Sequence, residues 1–242
     1  MTRAHRFVIT AISAVIVGAL ASSAAFAAGF LGPGHFSTDF ADATSMWFPD
    51  ASSPSVIQLS VNRNTFVFRP TQNSGGSSLM QHATILTVAI KGPVVSGFDC
   101  FIIPDSDFVI SSGVQSASLN ATVNAIDRCP GFAEPLAGLA AGKAGGGGPP
   151  PGGGIQFPLT VNASWSGNGA TSISNSSDQS SCGGLSMESH SSTSSARATA
   201  TGSLSMPAGL VIAPSPTERA SVDQGTVVSN VQGFPSPLCV GA

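Results

Sequence analysis

Between residues 155 and 166 the chain reads Ile-Gln-Phe-Pro-Leu-Thr-Val-Asn-Ala-Ser-Trp-Ser. Ile155, Phe157, Leu159, Val161, Ala163 and Trp165 alternate with Gln156, Pro158, Thr160, Asn162, Ser164 and Ser166. Successive side chains of a strand point to opposite faces, so as a strand this stretch has one dry and one wet face. A helix would spread the same residues around its circumference. Pro158 falls in the outward set and cannot donate to a ladder, which predicts an edge strand or a bulge there. A dry face must be covered by a second layer, and that requirement governs what the remaining residues have to do.

Most of them repeat the pattern. Ala117, Leu119, Ala121, Val123 and Ala125 alternate with polar residues, as do Ile57, Leu59 and Val61. Phe66 and Phe68 share one face of Thr65–Arg69, and the intervening Asn62-Arg63-Asn64 predicts a turn, making this pair a hairpin. Gln81–Lys91 is apolar on both alternating faces, as a strand covered on both sides would be. Gly97–Ile103 predicts another strand, followed by a turn at Pro104-Asp105-Ser106-Asp107 and extended chain over Phe108–Ser111. Leu185 and Met187 mark a short strand. Ala196, Ala198, Ala200, Gly202 and Leu204 mark another, and Val222–Val231 the last. Phe30–Asp50 has a poor pattern and is expected to give an entry strand and a loop. About nine to eleven short strands with turns between them imply an all-β fold: an antiparallel β-sandwich, Ig-like or jelly-roll-like.

The ends and the middle set the organisation. Arg3, His5 and Arg6, then an apolar run, then Ala25-Phe26-Ala27 make residues 1–27 a signal peptide, with a mature chain starting near Ala28. No later run is long and apolar enough to span a membrane as a helix. Gly145–Gly154 is Gly and Pro alone, and residues 143–154 are expected to form a long flexible loop. One β domain over 28–242 carrying that loop is favoured. Two small β domains, 28–132 and 155–242, are the alternative, but each alone has few strands for a sandwich.

All four cysteines, Cys100, Cys129, Cys182 and Cys239, follow the leader. An even number in an exported chain implies two disulfides. Cys100–Cys129 and Cys182–Cys239 are the favoured pairs, because the first two residues flank apparent neighbouring strands. There is no C-x-x-C, so zinc and thioredoxin-type chemistry have no support.

Charge narrows the partners. Losing Arg3 and Arg6 takes the basic count from 9 to 7 against 12 acids, a net charge of about −5. That balance argues against nucleic acid. Charged residues are only 9% of the chain, so Ser, Thr, Asn and Gln do the solvating, as suits an extracellular or cell-surface protein. No G-x-S-x-G elbow, H-E-x-x-H or phosphate loop is present, and no catalytic residue or cofactor is assigned. His35, His82 and His190 remain after export, and nothing local arranges any of them in a triad. Asp99, Asp105 and Asp107 are the candidates for a metal, since hard oxygen ligands suit Ca²⁺. Trp47, beside Phe48, is the candidate for an exposed ligand-binding platform; Trp165 continues a dry face and belongs in a core. A non-enzymatic binding or structural protein is therefore the expected role. A secreted hydrolase acting on carbohydrate and a carbohydrate-binding module are the alternatives.

Overall fold

A computed structural model describes residues 33–48, 55–71, 77–92, 95–129, 155–182 and 184–233. The expected signal peptide, the Gly/Pro loop at 143–154 and Cys239 lie outside the described residues. Within them the strands are β1 (Gly34–Trp47), β2 (Val56–Pro70), β3 (Leu79–Lys91), β4 (Ser96–Ile103), β5 (Phe108–Ile110) and β6 (Ser116–Val123). After the 130–154 stretch come β7 (Leu159–Gly167), β8 (Ser172–Cys182), β9 (Leu185–Ser205), β10 (Val211–Ile212) and β11 (Thr217–Gln232). Helix among the described residues is confined to the 3-10 turns Asp105–Asp107, Ala125–Asp127 and Pro207–Gly209.

The protein is all-β and its strands pair antiparallel in one sheet, in the order β4-β3-β2-β1-β11-β9-β7-β6-β5. β9 is long enough to carry β8 and then β7 along the same edge, with β10 at its end. β1 lies between β2 and β11, so strands from before and after the 130–154 stretch share one set of hydrogen bonds. The sheet bends until its ends meet. Phe101 of β4 forms a β-bridge with Arg128, beyond β6, and the Cys100–Cys129 disulfide closes the same corner with its Cα atoms 5.5 Å apart. One continuous sheet thus supplies the buried residues of the core.

Its inner face holds that core. Ala43, Val61, Leu86, Phe101, Ala196 and Val222 lie on one row across six strands, and Leu119, Val161, Trp165 and Ala198 belong to the same core cluster. The two indoles span the interior in opposite senses: Trp165 Nε1 donates to the Thr44 carbonyl at 2.9 Å and Trp47 Nε1 to the Ala200 carbonyl at 3.2 Å. A smaller cluster, Phe36, Phe68 and Val231 with Phe66, Leu79, Leu185 and Met187, sits on the other, outer face toward the far end of the strands.

That change of side explains why residues 30–50 carry no clean period. β1 buries Ala41, Ala43 and Trp47 inward and Phe36 outward, so its dry face switches partway along. Three other expectations are corrected. Asn62-Arg63-Asn64 is not a turn: β2 runs through it, paired on both edges, because β1 and β3 supply partners there. The two strands expected at Leu185 and Ala196 are the single strand β9. Pro158 causes neither an edge nor a bulge: it precedes β7, which has β6 and β9 on its two sides.

Candidate functional site

The inner-face core stops at the level of Ala41, and the next row outward is polar from end to end. Cross-strand register places Asn175 of β8, Ser192 of β9, Thr226 of β11, Asp39 of β1, Thr65 of β2 and His82 of β3 directly opposite one another in sequence. Directly opposed residues of antiparallel strands point to the same face, with Cβ atoms about 5 Å apart. Thr226 Oγ1 donates to Asp39 Oδ1 at 2.7 Å. A depression of about 350 Å³ opens over this row, walled by Asp39, Arg63, Thr65, Ser192, Gln224 and Thr226.

At one end the row becomes a relay. His82 Nε2 lies 2.5 Å from Asp105 Oδ2, and His82 Nδ1 lies 2.6 Å from Thr65 Oγ1. Asp105 enters from the 3-10 turn after β4, where Pro104 stops the strand. Its other oxygen, Oδ1, accepts the buried Thr84 hydroxyl at 2.5 Å. That hydrogen bond, then the bond and charge of His82, and last the charge of Arg63 hold the Asp105 carboxyl below the usual carboxylate range. An ionised carboxylate only accepts, so His82 carries a proton on Nε2; Nδ1 faces the Thr65 hydroxyl as an acceptor when the ring is neutral and as a donor when it is charged. The arrangement is hydroxyl, imidazole and carboxylate in line, the order a general base and its orienting group require.

Two further parts shape the pocket. Arg63, two residues before Thr65 on the same face of β2, is fixed by the Phe108 carbonyl, 3.4 Å from Nη1, and by the Phe108 ring 5.8 Å below the guanidinium. The β5–β6 turn reaches over the opening at Gly113, which adopts φ 87°, beside Val114 at φ 55°. Left-handed backbone is disfavoured for a branched residue, and burying the Val114 side chain in the core offsets that cost. The turn is tied down where Thr171 Oγ1 donates to the Gly113 carbonyl at 2.9 Å.

A second titratable group lies on the outer face. Asp42 and Asp223 are directly opposed on β1 and β11, and Asp42 is only 3% exposed. Burial, then the Asp223 charge, push the Asp42 carboxyl up to about 7. Burial raises Asp223 as well. Ser60 Oγ donates to Asp42 at 3.4 Å and Ser221 Oγ to Asp223 at 3.0 Å.

The residues singled out in the sequence are distributed differently. Trp47 is 1% exposed and no platform: it extends the inner-face positions of β1 and docks on β9. Asp99, Asp105 and Asp107 do not converge. Asp99 pairs with Arg128 Nε at 2.5 Å, Asp105 joins His82, and Asp107 accepts from Ser106 at 3.3 Å. Among the described residues, no group of three or more His, Cys, Asp or Glu is gathered as a metal site. Cys100 and Cys129 pair as expected. Sequence reading missed Thr65 and the partnership of His82 with Asp105, because 17 and 23 residues separate His82 from them. Their meeting depends on the β3–β4 pairing, which brings the turn after β4 back beside β3. No protein-family model matches the chain, and no curated protein matches it in sequence.

Proposed function

We propose that this is an exported or cell-surface binding protein whose ligand site is the inner-face polar row and whose ligand is neutral and rich in hydroxyl groups, carbohydrate in chemical class. The single observation that carries the reading is the unbroken row from Asn175 to His82, six polar side chains in register, of which Ser192, Thr226, Asp39 and Thr65 line one pocket. Recognition of a polyhydroxylated ligand needs several fixed donors and acceptors in one plane, and strands supply them at a regular spacing. Both indoles are buried, so the site works by hydrogen bonding and not by stacking on tryptophan.

Export rests on the leader-like residues 1–27 and on the disulfide. The curled sheet is read as a flattened, sandwich-like shell in which the neutral polar surface is solvated by Ser, Thr and Asn.

The test is a glycan array probed with the purified mature protein, followed by calorimetry with the oligosaccharides retained. D39A removes the central acceptor of the row and is expected to weaken binding about tenfold or more, as loss of a hydrogen bond to a charged group does. S174A, on the outer face of β8, leaves affinity unchanged. Retention of no glycan, or equal binding by D39A, contradicts the proposal.

A further inference from the structure

The relay at the end of the row has a chemistry that binding alone does not use. Thr65 Oγ1 sits on the pocket wall 2.6 Å from His82 Nδ1, close enough to give that nitrogen its proton when the imidazole is neutral. His82 is held from behind by Asp105, and Asp105 is held in turn by the buried Thr84. Each member is therefore oriented by the next, and the chain ends on the rigid inner face of β3. The side chains of His82 and Asp105 are 36% and 49% exposed, so water reaches the relay. The Arg63 guanidinium stands on the same wall as Thr65 and is pinned to the Phe108 carbonyl.

We propose that Thr65 is a nucleophile for acyl transfer, and that this pocket cleaves esters carrying a small acyl group. The inference goes beyond ligand binding and does not depend on which ligand fills the rest of the row.

In the first step the Thr65 Oγ–carbon bond forms as the hydroxyl proton passes to His82 Nδ1. The oxyanion that develops on the carbonyl lies beside the Arg63 cation, which stabilises it. The tetrahedral carbon then expels the alkoxide, which takes the proton from His82 and leaves as the alcohol. Water attacks the acyl-threonine next, giving its proton to His82, and collapse returns that proton to Thr65 Oγ with release of the carboxylic acid. No oxidant, reductant or co-reactant besides water enters the cycle. Asp105 is a positioning residue: it keeps the Nε2–H tautomer and stabilises the imidazolium.

The probes are an alkyl fluorophosphonate and p-nitrophenyl acetate, each applied to the mature protein. Peptide mass spectrometry is expected to place the phosphonyl adduct on Thr65, and the acetate ester to give a burst of p-nitrophenolate. T65V, close in volume but without the hydroxyl, loses both. H82Q slows labelling by about 100-fold or more, as removal of a general base does. T65S keeps labelling because a primary hydroxyl meets the same base with less crowding. Nitrogen-15 shifts of His82 report the Nε2–H tautomer in the wild type and lose that preference in D105N. Circular dichroism confirms that each variant is folded. Absence of an adduct on Thr65 in the wild type, equal labelling of T65V, or an Nδ1–H tautomer at His82 overturns the proposal. Labelling lost with glycan binding intact removes only the acyl-transfer inference; the converse removes only the glycan reading.

Discussion

Asp42 shows how one side chain is set by its cross-strand neighbours. A carboxylate almost wholly withdrawn from water, with a second carboxyl opposite and only the Ser60 hydroxyl at 3.4 Å and the Ala43 backbone to favour its charge, keeps its proton to about pH 7. The unfolded chain ionises the same group near 3.8. Below pH 4 it is neutral in both states. Between pH 4 and 7 only the unfolded state gives up the proton, so stability falls as pH rises. Above 7 both states are ionised and the loss levels off, at about 4 kcal/mol for this residue. Denaturant unfolding of the wild type should show that decline, and D42N should flatten it and be the more stable protein at pH 8. An unchanged pH profile in D42N would contradict the assigned burial. Nothing in the local sequence announces this group, because Asp42 sits between Ala41 and Ala43 and its opponent, Asp223, is far along the chain. His82 was invisible for the same reason: its partners are set by register and not by spacing.

Elements were legible where one face stayed dry along the whole strand. β6 and β7 alternate without interruption and both are strands, though β7 begins only at Leu159, after Pro158, and β6 ends at Val123, leaving Ala125 in a 3-10 turn. β1 and β2 were not, because each passes from one core to the other and its buried side switches. β8 was missed altogether. All of Ser172–Ser181 is exposed, so no burial pattern marks a strand held by its hydrogen bonds to β9. The disulfide acts at this scale too. Cys100 and Cys129 are 29 residues apart and join the strand at one end of the sheet to the turn beyond β6. Replacing both by alanine frees a loop of that length in the unfolded state and is expected to lower stability by about 3–4 kcal/mol in denaturant unfolding. A loss below ~1 kcal/mol would show that the corner is held by packing instead, through Phe101, Phe157 and the Arg128–Asp99 pair.

At the scale of the whole molecule, the polar row exists only because β1 pairs with both β2 and β11. Asp39 is matched to Thr65 on one side and Thr226 on the other, 187 residues along the chain from Asp39. A shift of one residue in either pairing would turn every side chain of the row to the opposite face. Alternation along the chain was enough for the all-β class and low charge for the polar surface, since both are local properties. The site was out of reach, since it is assembled by topology from six strands. Its most direct test is a ¹H–¹⁵N titration of the mature protein with an oligosaccharide retained on the array. Shifts are expected to concentrate at Asp39, Arg63, Thr65, Ser192, Gln224 and Thr226, with the outer-face residues Ser174 and Asp178 unmoved. Shifts confined to the outer face, or none at saturating ligand, would contradict the account.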